Sequence, residues 1–340
     1  GQLRFGPGQQ RGELRGRVLR HSPKRTGATV PPMFPGTFAA TSPDKAAVIM
    51  ATSGEVITYG ALDAEANRLS RVLRAAGLQP GDHVALCLEN HPRFLSIIWG
   101  AHYAGLYYTA MSSRLTTDEM AYIIEDCGAK AFITSAHKSE QAAELVSGAP
   151  AVKVWLMLDG VIDGYEPYEA VIEAESPSPL PEDRVEGQDM LYSSGTTGRP
   201  KGVKVPLPGA PLGDGADGVT TLGQLLFGTD ESTMYLSPAP LYHAAPLRFC
   251  RAVHRVGGTV VVMEHFDPEQ YLALVERHRI TFSQVVPTMF IRMLKLPEEA
   301  RSRHDLSSLR AVVHAAAPCP AAVKAQIIEW FGPIVHEYYA

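Results

Sequence analysis

Residues 191 to 202 read LYSSGTTGRPKG. The approach to it, DMLY at 189 to 192, has the character of a strand end. SSGTTG cannot continue that strand, because glycine and short hydroxyl residues favour turns over ladder pairing. Gly195 and Gly198 let the backbone bend so that several N–H groups converge on one point, and Ser193, Ser194, Thr196 and Thr197 add hydroxyl donors. Lys201 supplies a point charge behind Pro200, which stiffens its approach. This is the inventory that the oxygens of a polyphosphate require. It is not the Walker A pattern, in which lysine follows glycine and precedes Ser or Thr; here Lys201 follows a proline and precedes Gly202. The plain alternative is a flexible surface loop, and the number of fitting positions favours phosphate.

Outward from the loop, strands and helices alternate. Thr58 is placed to cap a helix running to about Ala76, with Leu62, Ala66, Leu69 and Leu73 on one face and Gly77 as the stop. VALCL at 84 to 88 reads as a buried strand, a helix at about 93 to 104 leads to the strand LYYTA, and Thr116 with Glu119 forms a capping box for a helix to Asp126. KAFIT and VKVWLML follow as strands. After the proline-rich PSPLPEDR, residues 177 to 184, the apolar runs GTVVVM, ITFSQVV and LRAVVH are separated by helices near 268 to 279 and 288 to 296. Such alternation predicts an α/β chain with mostly parallel sheets covered by helices on both faces. The expected division is an extension at 1–30, a first α/β subdomain at 31–180 and a second at 181–340. PLPGAPLGDGADG, residues 206 to 218, is too rich in Gly and Pro for regular structure and reads either as a lid over the phosphates or as a surface connection.

Composition bounds the function. The chain has 340 residues, 45% hydrophobic and 20% charged, enough for a sizeable core. Residues 1–30 hold seven Arg or Lys against Glu13 alone, a balance of +6 that leaves −11 to the rest of a chain of net charge −5. That leader reads as a disordered or non-native extension in preference to a transit peptide or an anion-binding arm. The acidic body argues against nucleic acid as a partner. No apolar run approaches the ~18 residues of a bilayer span, so a cytoplasmic protein is expected. Cys87, Cys127, Cys250 and Cys319 are far apart and read as reduced thiols, mostly in the core. HEYYA at 336 to 340 begins like HExxH but ends on Ala340, so no protein-ligated metal is expected.

LYSSGTTGRPKG resembles the signature loop of the adenylate-forming superfamily, which includes acyl-CoA synthetases, 4-coumarate-CoA ligases, firefly luciferase and the adenylation domains of peptide synthetases. The resemblance runs from about residue 37 to the end. LYHAAPL, 241 to 247, is similar to the family's aromatic-His motif beside the acyl pocket. HAAAPCP, 314 to 320, is similar to the Gly-Ala-Ala-Pro turn along the adenine, and HEYYA to the start of the segment in which a tyrosine stacks on the base. The resemblance implies the large N-terminal domain of an acyl-CoA synthetase-like fold. It implies ATP phosphates on Ser193, Ser194, Gly195, Thr196, Thr197, Gly198 and Lys201. Adenine would lie on Ala315, Ala316, Ala317, Pro318, Glu337, Tyr338 and Tyr339, with Tyr339 stacking, and the acid on His243 and Ala244. Thr196, Lys201 and His243 would take the catalytic roles.

The implied reaction is attack of a substrate carboxylate on the α-phosphate of ATP, giving acyl-AMP and pyrophosphate, then thioester formation with coenzyme A and release of AMP. Mg2+ accompanies the ATP, and fixed donors offset the repulsion of two anions. The family's Thr-Glu pair, ribose-binding Asp, hinge and small C-terminal domain with its lysine are expected beyond Ala340, which predicts a weakly active or inactive fragment. Stretches near His243–Phe249, Val285–Ile291 and Val312–Ala316 are apolar and offer little to bind an α-amino group. The expected substrate is therefore a hydrophobic acid, foremost a fatty acid. A 4-coumarate- or benzoate-type ligase is the rival enzyme, and a non-catalytic nucleotide-binding module the rival of another class. Partners are small molecules; peripheral contact with a membrane surface and the oligomeric state are left open.

Overall fold

The computed structural model describes residues 32–181, 184–193, 199–215 and 217–339. The expectations for residues 1–30 and for Ser194 to Gly198 lie outside these. Helix α1 (Pro35–Thr41) precedes strands β1 (Ala46–Met50) and β2 (Val56–Thr58). Helix α2 (Tyr59–Ala75), β3 (His83–Cys87), α3 (Phe94–Tyr103), β4 (Tyr107–Met111), α4 (Thr117–Cys127), β5 (Ala129–Ser135), α5 (Ser139–Gly148) and β6 (Val154–Leu158) then alternate. After β7 (Glu166–Pro167) and α6 (Tyr168–Glu173) come β8 (Gln188–Ser193), β9 (Lys201–Lys204), α7 (Gly218–Phe227), β10 (Met234–Ser237) and α8 (Ala244–Arg255). The remainder is β11 (Thr259–Val262), α9 (Pro268–His278), β12 (Phe282–Val285), α10 (Pro287–Leu294), α11 (Glu298–Ser302), β13 (Ala311–His314), α12 (Ala321–Phe331) and β14 (Val335–Glu337).

Local signals act as the sequence suggests. The Thr58 hydroxyl accepts from Ala61 N at 3.2 Å, and Gly77 takes φ 85° just past α2, where a side chain would be strained. Thr116 and Glu119 make both bonds of the capping box. Burial pushes the Cys87 and Cys250 thiols up to about 12 and Cys127 up to about 11, which leaves three inert core residues.

Each of two seven-stranded sheets is parallel except for one edge pair. Their orders are β7-β6-β5-β3-β4-β8-β9 and β14-β13-β12-β10-β11-β1-β2, with β8/β9 and β1/β2 antiparallel. The strands do not sort by a division at residue 180. β1 pairs with β11, Val48 opposite Val260, while β8 from the later part of the chain pairs with β4, Tyr107 opposite Gln188. Each half thus lends strands to the other's sheet, a non-local choice that local periodicity does not encode.

One apolar core joins the sheets. Leu69 of α2, Ile97 and Trp99 of α3, and Leu247 and Val253 of α8 pack with Val84 of β3 and Val260 of β11. Helix α3, FLSIIWGAHY, is buried at every residue, as a helix apolar all round must be. Its Trp99 donates to His254 Nδ1 of α8 at 3.0 Å. The outer faces are covered separately, the first sheet by residues such as Ile123 and Leu145, the second by Tyr271, Phe290 and Ile327.

The chain enters β8 through Gly187, whose N–H donates to His102 O at 3.0 Å. A Cβ there would stand 2.5 Å from Leu106 O and 2.7 Å from His102 Cα, both backbone atoms that no rotamer change can move. Gly187→Ala is expected to lower stability by about 1–3 kcal/mol, the usual range for overpacking. Chemical denaturation of the two proteins measures it.

Candidate nucleotide and acid site

Strands β8 and β9, on either side of residues 194–198, form an antiparallel pair. They pair with Tyr192 opposite Gly202 and Ser193 opposite Lys201, so the stem closes at the last paired residues before and after that stretch. Helix α4 holds this stem: Tyr122 donates to Pro200 O at 3.2 Å, Asp126 accepts from the Tyr192 hydroxyl, and Arg199 lies 4.9 Å from the Tyr122 ring centre. The two lysines of β9 differ. Lys204, exposed as well, reaches 2.9 Å from His83 Nε2 and 4.5 Å from the Tyr107 ring centre. Burial and this lysine push His83 down to about 4, so its imidazole is neutral and accepts. Lys201 is exposed, and no carboxylate pairs with it among the described residues. Ser193 is exposed beside it, and Ser194, Gly195, Thr196, Thr197 and Gly198 lie outside the described residues.

A cavity of about 730 Å³ opens beside α8. His243, Ala244, Ala315, Ala316 and Tyr338 line it, so the aromatic-His motif, the small-residue turn and the tyrosine just after the final strand do converge. Ser193, Lys201, Ala317, Pro318, Glu337 and Tyr339 are not among its lining residues. His243 stands just before α8 with its ring 4.5 Å from that of Tyr242; partial burial and the charge of Arg114 lower its pKa, leaving the imidazole neutral at pH 7. Between β13 and α12, Ala316 takes φ 76°, a left-handed conformation that a non-glycine residue adopts only at an energetic cost. Tyr338 packs on Phe249 with ring centres 6.2 Å apart, and its N–H donates to His314 O at 3.2 Å. Tyr339 is fully exposed. Glu337 pairs with Lys324 at 2.7 Å.

The cavity wall is not uniformly apolar. Val205, Pro208, Val219, Leu222, Ala239, Ala245, Phe249 and Val286 face it, but so do Glu186, Asp217, Arg248, Arg251, Arg255, Gln188 and Gln284. The expectation of apolar walls is corrected in part here, because Arg248, Arg251 and Arg255, at i, i+3 and i+7 of α8, form a single stripe that lines the cavity. Arg248 Nη2 donates to Asp189 Oδ2 at 2.7 Å, and Arg251 Nη2 to Asp217 Oδ2 at 2.7 Å. Arg251 also bonds the Tyr108 hydroxyl, while Arg255 bonds Glu186 and donates to Met33 O at 3.2 Å. Asp217 caps α7 by accepting from Thr220 N at 2.8 Å.

Burial alone would raise both acids. The Arg251 charge, the Thr220 amide and Arg255 overcome it at Asp217, as His102, Arg255 and the Gly213 amide do at Glu186, and both carboxyls are held at about 2. His102 is itself kept neutral by its burial, against the pull of Glu186, so its Nε2–H donates to that carboxylate. The segment after the hairpin is tied into the same network: Gly213 N donates to Glu186 Oε1 at 2.8 Å, Leu212 N to Arg184 O at 2.9 Å, and Tyr107 to Val205 O at 2.8 Å. Those bonds fix it as a wall of the cavity. Elsewhere, Glu89, His91 and Asp159 bring ligand atoms within 4.8 Å of one another, but His91 already meets Asp159 at 3.0 Å and Ser135 donates to Glu89 at 2.7 Å.

A family model described as AMP-binding enzyme matches residues 37–340. The chain belongs to the AMP-binding enzyme family. It is 31% identical over 277 residues to a feruloyl-CoA synthase of Amycolatopsis, covering 81% of this chain and 52% of that protein. It is 29% identical to a medium/long-chain-fatty-acid–CoA ligase of Mycobacterium tuberculosis, covering 83% and 50%. The chain therefore spans about half the length of the curated relatives it matches. In fold it is similar to the N-terminal domain of FACL13 from Mycobacterium tuberculosis, with TM-score 0.74 and 23% identity over 90% of this chain and 74% of that one. These relatives are CoA ligases whose names differ in the acid they act on. No helix among the described residues is long and apolar enough to cross a membrane.

Sequence reasoning missed Glu186, Asp217 and the three arginines. The signal was present in RFCRAVHR, whose basic residues share one helical stripe, but such a stripe reads by default as solvated surface. Removing one member leaves a buried charge without its counterion, so Arg255→Met is expected to destabilise the fold by about 3–5 kcal/mol in denaturant titration. The acids also set a pH dependence. Their pKa is about 2 in the fold against about 4 in an unfolded chain. The stability they contribute is complete above about pH 4.5 and is lost as pH falls through that window. Thermal unfolding at steps from neutral to acidic pH should show the melting temperature falling there, with a smaller fall in Glu186→Gln.

Proposed function

We propose that this chain binds ATP and a hydrophobic carboxylic acid for an acid–thiol ligase that forms acyl-AMP and then acyl-CoA. The observation that carries the reading is one cavity bounded by the small-residue turn at Ala315–Ala316, Tyr338, His243 and a largely apolar chamber along α8. Small side chains at the turn let a flat base approach the backbone. Ala317, Pro318 and the exposed ring of Tyr339 extend that surface outside the cavity, with Glu337 as an acceptor for the base's amino group.

The acid would lie with its carboxylate near His243 and Ala244 and its body along the apolar wall. The neutral imidazole of His243 adds no charge that would hold the carboxylate back from attack on the α-phosphate. Lys201, with the hydroxyls and amides of 193–198, would hold the β- and γ-phosphates as charge moves onto the leaving pyrophosphate, with Mg2+ accompanying the ATP. CoA thiolate then attacks the acyl carbonyl and expels AMP. The feruloyl-CoA synthase relative supports a second reading, an aromatic acid in the same chamber. Binding of decanoate-derived against cinnamate-derived adenylate mimics separates the two.

Calorimetric titration tests the assignment on binding alone. The chain is expected to bind ATP and a hydrophobic acyl-sulfamoyl-adenosine, which mimics acyl-AMP but carries no β- or γ-phosphate. Lys201→Ala should weaken ATP by about tenfold or more, the loss of one charge-assisted hydrogen bond, and leave the mimic nearly unaffected. Equal losses for both ligands would remove Lys201 from the pyrophosphate end.

A further inference from the structure

We infer that Tyr122 and Asp126 of helix α4 are positioning residues for ATP: they hold the chain arms on both sides of residues 194–198 and so set where Lys201 meets the terminal phosphates. The inference rests on the phosphate-binding reading of Lys201 above and names what fixes that lysine in place. Tyr122 and Asp126 stand four residues apart and share one face of α4. Their bonds run to opposite arms. The Tyr122 hydroxyl donates to Pro200 O at 3.2 Å, one residue before Lys201, and the Tyr192 hydroxyl donates to Asp126 Oδ2, one residue before Ser193. The single proton of the Tyr122 hydroxyl has its nearer acceptor in Pro200, since Asp126 Oδ1 lies at 3.5 Å. Burial and the bond to Asp126 both raise the pKa of Tyr192, so that hydroxyl stays a donor.

The arms need such a hold. Strand β9 is the edge of its sheet and pairs with β8 alone, and Ser193 with Lys201 is the last pair of that ladder. The sequence beyond it, SGTTG at 194–198, has no apolar side chain with which to pack. A terminal pair on an edge strand frays unless another element holds it. Helix α4 is such an element: Met120, Ile123, Ile124 and Cys127 are buried, a capping box closes its start, and Gly128 at φ 67° closes its end. The ring of Tyr122 adds a second contact, with the Arg199 guanidinium 4.9 Å from its centre. Lysine carries its charge on a flexible four-carbon stem, so its ammonium is placed only as well as its backbone is. Fixed donors stabilise a leaving pyrophosphate to the extent that they are in place before its charge develops.

The test measures by calorimetry the binding of ATP and of decanoyl-sulfamoyl-adenosine, which carries no β- or γ-phosphate, to the full 340-residue chain and its variants. Tyr122→Phe keeps the ring beside Arg199 and loses only the bond to Pro200 O. It should weaken ATP about fivefold, the net worth of one hydrogen bond, and leave the mimic unchanged. In a Lys201→Ala background the same substitution should cost ATP nothing further, because a positioning residue acts only through the group it positions. Asp126→Leu should repeat the selective loss, whereas Asp126→Asn, whose amide oxygen still accepts from Tyr192, should bind ATP as the parent chain does. Equal losses for ATP and the mimic, or a loss for ATP that persists undiminished without Lys201, make the contacts merely structural and overturn the inference. ATP binding that neither Tyr122→Phe nor Asp126→Leu weakens overturns it as well, and leaves the phosphate reading standing if Lys201→Ala still weakens ATP. Lys201→Ala that leaves ATP binding unchanged overturns both.

Discussion

The buried ion network along α8 is the constraint on which the rest of the structure depends. Six charged side chains, all but Arg248 deeply buried, tie α8 to β8 through Asp189, to the start of α7 through Asp217, and to α3 through Glu186 and His102. Burying such pairs gains little net stability over an apolar core of similar shape, because desolvation offsets most of the attraction. What the network supplies is register. A one-residue slip of β8 would turn Asp189 to the opposite face and strand Arg248 without its counterion, while Arg251 would keep only Asp217. Strand β8, which leads to residues 194–198, is therefore positioned by charges along α8.

The same arrangement explains why helices sit where they do. Helix α3 contributes apolar surface on all sides and could be satisfied in many orientations, but Trp99 to His254 and His102 to Glu186 select one. Both contacts reach α8 or its partners, so the helix between the sheets and the helix beside the cavity are set as a pair. Gly187 lets the backbone of β8 lie against His102 O at that junction, where any side chain would collide with main chain.

Much of this was legible from residues alone and part was not, for physical reasons. Thr58, Gly77, Thr116 and Glu119 act within a few residues of themselves, so their signals survive in one dimension. The convergence of His243, Ala315 and Tyr338 was legible only through motif resemblance, since nothing local says that residues so far apart meet. Strand exchange between the sheets was not legible, because parallel pairing of β1 with β11 depends on which apolar faces meet in three dimensions. Tyr338 and Tyr339 differ for a simpler reason: adjacent residues of an extended chain face opposite ways, so Tyr338 turns to Phe249 and Tyr339 to solvent. Arg251 and Arg255 escaped because burial of arginine depends on partners that lie far off in sequence at Asp217 and Glu186.

The turn at Ala316 shows how strain and site coincide. Glycine would relieve a φ of 76°, yet the chain keeps three alanines in succession after His314. Ala315 is buried and faces the cavity, Ala316 faces it from an exposed position, and the next helix begins only after Pro320. A methyl at each position restricts the backbone far more than glycine would, while adding little bulk toward a ligand. The rigidity comes from neighbours that hold the turn on both sides, His314 within the parallel ladder and Pro320 at the mouth of α12. On the proposed reading of this turn as the adenine surface, backbone and methyl groups are thereby fixed in advance, so that binding a base would not have to supply the entropy of ordering them.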